Sequence, residues 1–186
     1  LGEVKNRADL AIFWGCNPLE AHPRHMARYS AFVKGFFTPE GRKGRKIVVV
    51  DVRKTATAKV ADYFVQVKPG MDYELICALR MAVMDKEIEV DEVAGVPREK
   101  IEELADLMIN ARFGVLFFGL GLTMSRGRYR NIDTAIALVR DLNRRTKFVM
   151  MPMRGHFNVT GANHVFAWLT GYPYAVDLSR GYPRYN

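Results

Sequence analysis

The densest run of groups able to do chemistry is MRGHFNVTG at residues 153–161. A guanidinium held in place, such as Arg154, can grip an oxyanion and stabilise developing negative charge. His156, two residues on, can carry a proton. The plainer alternative is a loop whose polar groups satisfy one another's backbone. A second run, Asp51-Val52-Arg53-Lys54-Thr55, follows four β-branched residues at 47–50. A carboxylate there can accept hydrogen bonds from a ribose or from the N–H edge of guanine, and the Arg, Lys and Thr can bind phosphate oxygens. The alternative is a helix-capping Asp beside a solvated basic pair.

Three glycine turns complete the set. Gly15-Cys16-Asn17-Pro18, with His22-Pro23 after it, offers backbone N–H groups to a phosphate or is an ordinary turn. It is not GxGxxG, so nothing points to a nicotinamide dinucleotide. Gly70-Met71-Asp72 reads most simply as a turn with Asp72 as the next helix's N-cap, and otherwise as a base contact. Gly119-Leu120-Gly121 permits close backbone approach to a ligand or a helix. The four histidines (His22, His25, His156, His164) form no metal set with the cysteines or carboxylates near them, so no metal-ligating residue is assigned.

These turns need strands to hold them. Residues 9–15, 47–50, 63–67, 113–118 and 148–151 read as short buried strands. Helical spacing runs through 73–84, then from Pro97 with the stripe Ile101, Leu104, Ala105, Met108. It returns at 132–142 with the stripe Ile132, Ala135, Ile136, Val139, Leu142. A short helix is expected within 22–32 and a loop at 34–46. After Arg154 the periodicity fades into Gly, Asn, Tyr and Pro. The alternation predicts an α/β, Rossmann-like fold: a mainly parallel sheet with helices on both faces. Ligands of such sheets sit outside the carboxyl ends of the strands, where the turns above fall.

Composition narrows the class. The 186 residues suffice for one sizeable core. No uncharged apolar run is long enough to span a membrane. Two cysteines, Cys16 and Cys77, make neither a disulfide framework nor a CxxC, and a reducing cytoplasm suits them. The net charge of +8 suits an anionic cofactor, an acidic partner or nucleic acid. It gathers at Arg42/Lys43/Arg45/Lys46, Arg126/Arg128/Arg130 and Arg144/Arg145/Lys147, each expected to be solvated.

Five blocks in one order resemble the molybdopterin oxidoreductase family: WGCNPLEAHP (14–23), VVVDVRKTATAKVADYFVQVKPGMDYEL (48–75), GVPREKIEELADLM (95–108), FGLGLTMSRGRYRNIDTAIALVRDLN (118–143) and MRGHFNVTGANH (153–164). Within it, the 126–143 stretch and the ending WLTGYPYAVDLSRGYPRYN are similar to formylmethanofuran dehydrogenase B subunits. The resemblance implies a bis(molybdopterin guanine dinucleotide) cofactor holding tungsten or molybdenum. It also implies iron–sulfur clusters upstream or on partner subunits, and an amidohydrolase-type partner; nucleic acid is not expected. The implied activity is reduction of carbon dioxide to formate for formylmethanofuran synthesis, in either direction. The alternatives are a formate dehydrogenase or nitrate reductase relative, or a non-catalytic basic nucleotide- or nucleic-acid-binding module.

By the resemblance, Gly15, Asn17, Pro18 and His22 fall in a first cofactor loop, and Asp51, Arg53 and Thr55 in a second. Gly70 and Asp72 match a nucleotide-contacting turn, and Gly119 and Gly121 a loop near the pterin. Arg154 matches an arginine beside the metal, with Gly155, His156 and Asn158 as neighbours. Val52 departs from the usual DPR. The family's metal-ligating Cys is unmatched and is expected before Leu1, so an internal fragment is expected. Residues 1–153 would form the cofactor-binding domain and 154–186 the start of a return toward a neighbouring domain.

Overall fold

The computed structural model describes residues 1–156 and 158–185. Phe157, inside the Arg154 run, and Asn186 lie outside the described residues. The chain divides into two compact units at Met153/Arg154. The first is built on a five-stranded parallel sheet: β1 (Leu10–Trp14), β2 (Lys46–Asp51), β3 (Tyr63–Gln66), β4 (Phe113–Phe118) and β5 (Lys147–Pro152). The order is β3-β2-β1-β4-β5. The chain therefore runs outward from β1 to β3, then crosses back to place β4 on the other side of β1. That reversal opens a crevice at the carboxyl ends of β1 and β4.

The continuous apolar runs have a direct cause. Successive strand residues point to opposite faces, and both faces are covered. Leu10, Ile12, Trp14, Val48 and Val50 face the three long helices: α1 (Asp72–Val83), α2 (Arg98–Ile109) and α3 (Tyr129–Leu142). Ala11, Phe13, Ile47 and Val49 face a second core with Val4, Met26, Phe113 and Phe117. The predicted stripe of α2 is buried as expected, and Pro97 is its N-cap.

Two expectations are corrected. The buried face of α3 holds Asn131, Thr134, Ala135, Leu138, Asp141 and Leu142, whereas Ile136 is exposed. Two polar anchors turn the helix: Asp141 pairs with Arg80 of α1 at 2.8 Å, and Asn131 donates to the Leu122 carbonyl at 2.9 Å. The short helix expected within 22–32 is present as a single turn, His25–Arg28. Arg45 is not solvated. Its guanidinium is buried against the carbonyls of Ser30 and Lys5 and the Thr38 hydroxyl, pinning the Gly2–Arg7 helix to the loops that hold Ser30 and Thr38.

The second unit contains a helix where the periodicity fades, α4 (Val159–Thr170), and a hairpin pairing Val176–Asp177 with Arg184–Tyr185. No residue of α4 is buried, and its Val165, Phe166, Trp168 and Leu169 side chains are exposed. Among the described residues, no helix is long and apolar enough to cross a membrane.

The crevice depends on three glycines. Gly15 has φ +57, and a Cβ on it would lie 2.6 Å from the Leu122 nitrogen. A Cβ on Gly121 would lie 2.6 Å from the Gly15 Cα, and one on Gly119 2.7 Å from the Gly15 oxygen. Side chains are excluded because the two loops meet backbone to backbone, with the Gly121 N–H donating to the Gly15 carbonyl at 2.9 Å. Gly15→Ala and Gly121→Ala should each cost about 2 kcal/mol or more in urea unfolding. Gly2→Ala, where a Cβ meets nothing within 4 Å, should stay within about 0.5 kcal/mol of wild type. Equal stabilities across the three variants would refute the close approach.

Candidate functional site

The carboxyl ends of β1, β2 and β4 bring most of the sequence-selected residues together. Ladders continue past the strands: the Gly15 N–H donates to Val50 O at 2.9 Å and the Gly119 N–H to Trp14 O at 3.0 Å. Pro18 is the buried first residue of a short helix, Pro18–Ala21, whose N-cap is Asn17. The Asn17 side chain does not cap it. Its oxygen accepts from the Thr57 N–H at 3.2 Å and the Thr57 hydroxyl at 2.7 Å, while Thr57 Oγ1 accepts from Leu19 N–H at 3.2 Å. The first loop is thereby tied to the second. Thr55 caps the Ala56–Lys59 helix by accepting from the Ala58 N–H.

Asp51 stands half-buried at the end of β2 and accepts from the Arg53 N–H at 3.2 Å. Burial lifts its carboxyl above the usual carboxylate range. The N–H groups of Arg53 and Val52 and the Arg53 charge oppose the rise, and the charge of Asp72 adds to it. Arg53 and Lys54 are exposed. Gly70, at φ +79, sits where a Cβ would come within 3.2 Å of Arg126 Cβ.

Asp72 is not the N-cap of α1; Met71 is. Asp72 is the first helical residue, 3% exposed, and its Oδ1 accepts from the Trp14 indole N–H at 2.8 Å. Its Oδ2 is buried with no hydrogen-bond partner among the described residues. An acceptor in that state is costly unless a donor arrives. Sequence alone does not single out Trp14 and Thr57 as site residues, because their partners lie 58 and 40 positions away.

Cys16 lies in the first loop, its thiol pushed up to about 12 by burial and by the Asp51 charge. It is a thiol at neutral pH. No group of three or more metal-ligating side chains occurs among the described residues. A cavity of about 690 Å³ lies at the opposite, amino-terminal edge of the sheet, lined by Lys43, Lys46, Asp62, Glu103 and Arg112 among others. Its wall mixes both charges, and it is far from the strand ends where ligands of such sheets bind; the crevice is the better candidate.

Arg154, Gly155, His156 and Asn158 belong to the second unit, and all are exposed. Asn158 adopts φ 47, ψ 26 and is the N-cap of α4. The Asn163 amide, oriented to satisfy both ends, donates to the Val159 and Pro173 carbonyls and accepts from Arg154 Nη1 at 3.0 Å.

Comparison with known proteins supplies what geometry alone does not. No protein-family model matches the chain. It is 60% identical over all 186 residues to the B subunit of the tungsten-containing formylmethanofuran dehydrogenase 2 of Methanocaldococcus jannaschii, and equally to that of Methanococcus maripaludis. The chain is a homologue of the formylmethanofuran dehydrogenase B subunits. It spans 43% of the length of these two relatives. Formate dehydrogenase H of Escherichia coli is a more distant relative, 24% identical over 93% of this chain. The B-subunit homologue shares its fold with a chain of the formyltransferase/hydrolase complex of Methylorubrum extorquens, solved with methylofuran. The TM-score is 0.64 at 20% identity, covering 99% of this chain and 47% of that one.

His22 is the C-cap of the Pro18–Ala21 helix, and His25 begins the next helical turn. His25 packs edge-on against Phe117 at 4.7 Å and shares a 3.1 Å hydrogen bond between its Nδ1 and the Ser30 hydroxyl. Burial, and then His22, lower its pKa from 6.5 to about 4. The folded state resists this proton, so the stability from His25 is whole above pH 6.5 and is lost as pH falls through 4. The loss is about 3 kcal/mol. Urea titrations at pH 7 and pH 4 should show this decline in wild type and a smaller one in His25→Phe. The same pH dependence in both proteins would contradict the assignment.

Proposed function

We propose that this chain is the nucleotide-cradling part of the catalytic subunit of a formylmethanofuran dehydrogenase, an oxidoreductase of one-carbon metabolism in the cytoplasm. The observation that carries the reading is the 60% identity maintained over the whole length of the chain. In this reading the whole subunit holds bis(molybdopterin guanine dinucleotide) with tungsten or molybdenum and reduces carbon dioxide to formate. Electrons come from iron–sulfur clusters, and an amidohydrolase-type partner joins formate to methanofuran.

The residues fit the group on one point above all. Asp72 keeps a buried acceptor oxygen without a partner among the described residues, and Asp51 stands near enough to feel its charge. The N–H edge of guanine is a donor surface that suits such carboxylates. When bound, the metal–pterin group supplies the two-electron chemistry. The chain's own residues do the binding. Asp51 and Asp72 accept from the base or ribose, with Gly70 shaping the turn between β3 and α1. Gly15, Asn17, Pro18 and His22, with Gly119 and Gly121 across the crevice, form walls of backbone. Arg53 and Thr55 meet phosphate oxygens, and part of the +8 charge serves two diphosphates. Arg154 holds a carboxylate or carbon dioxide oxygen, His156 carries a proton, and Gly155 and Asn158 shape their run.

The intact complex tests this. Arg154→Ala should lower kcat about 100-fold or more, the scale for losing one preorganised donor to a developing oxyanion. Arg154→Lys should recover only part, because a point charge does not replace a planar fork. The isolated 186-residue chain should not turn over. An intact complex that interconverts formate and carbon dioxide with no methanofuran-dependent product would instead favour a formate dehydrogenase.

A further inference from the structure

Trp14 ends β1 and is 1% exposed. Filling that space requires an aromatic ring but not an indole N–H. Yet the N–H reaches Asp72 Oδ1 at 2.8 Å across a sequence gap of 58 residues. The two side chains come from adjoining elements at the crevice, the last residue of β1 and the first of α1. The helix N-terminus favours a charged carboxylate at Asp72, and the indole bond removes its freedom to rotate. One oxygen is satisfied, and the other is buried and unpartnered among the described residues.

We infer that Trp14 is a positioning residue: its indole N–H holds Asp72 Oδ1 so that Oδ2 is presented to the 2-amino group of a bound guanine. The inference rests on the nucleotide reading above and goes beyond it. It makes base selectivity depend on a residue that need not touch the base. Guanine offers N1–H and a 2-amino group on one edge; hypoxanthine keeps N1–H and lacks the amino group. With Oδ2 fixed on the 2-amino position, hypoxanthine leaves it without a donor, whereas a carboxylate free to turn can take the N1–H of either base and discriminates less.

The test uses the 186-residue chain with guanosine and inosine monophosphates as probes. Wild type should bind the guanosine nucleotide at least about tenfold more tightly, the scale of a hydrogen bond to a charged group. Trp14→Phe should shrink that ratio to about threefold or less, and Trp14→Phe should have no further effect on it in an Asp72→Asn background. If Trp14→Phe weakens both nucleotides equally and leaves the ratio unchanged, Trp14 is packing only and the inference is overturned. A second measurement needs no change at Trp14. The chain has two tryptophans, so Trp168→Phe identifies the Trp14 indole N–H signal in a nitrogen-15 NMR spectrum. That signal should move on saturation with guanosine monophosphate and move less with inosine monophosphate; an unmoved signal overturns the inference. If wild type binds neither nucleotide, the nucleotide reading itself fails and this inference falls with it.

Discussion

The site depends on one close approach, the backbone contact between the Gly15 turn and the Gly119–Gly121 turn. Parallel strands bring their carboxyl ends to one edge of the sheet, and the reversal of strand order leaves a crevice between β1 and β4. A side chain at any of the three glycines would push the turns apart. With none there, the loops share a hydrogen bond and the crevice is walled by backbone. Backbone walls suit a large polar cofactor, since they offer donors and acceptors without side-chain conformational entropy to lose.

Around that contact, buried polar groups fix the loops in register. Asn17 and Thr57 bind the first loop to the second, and Asn131 fastens α3 beneath the third. Arg80 and Asp141 lock α1 to α3. Each member is costly to leave unsatisfied, so these bonds specify one arrangement more than they add stability. Asp72 and Asn131 each keep one buried oxygen without a partner among the described residues, and of the two Asp72 is the one at the carboxyl-end turns of β1 and β3.

Sequence disclosed the strands well because burial on both faces leaves an unbroken apolar run, as at 47–50. It disclosed α2 because that helix has one dry face. It misjudged α3, where Asn131 and Asp141 turn inward and Ile136 faces out. Periodicity assumes that apolar residues choose the face, and here two polar anchors do. It missed α4, where Val159, Ala162, Phe166 and Leu169 do keep helical spacing but are interleaved with Gly, Asn and Thr and none is buried. The site was legible as a set of turns after strands. The bonds that organise it were not, since Trp14 with Asp72 and Asn17 with Thr57 are contacts between distant segments. Trp14 reads from sequence as core, which it is, and only the fold reveals what its indole N–H touches.

The most direct test of the account is a crystal structure of the complete catalytic protein with its cofactor bound. The account predicts a guanine edge within hydrogen-bond distance of Asp72 Oδ2, with the nucleotide lying over the Gly15 and Gly119–Gly121 turns. A cofactor whose nucleotides all lie away from the carboxyl ends of β1, β2 and β4, leaving Asp72 Oδ2 without a donor, would contradict it.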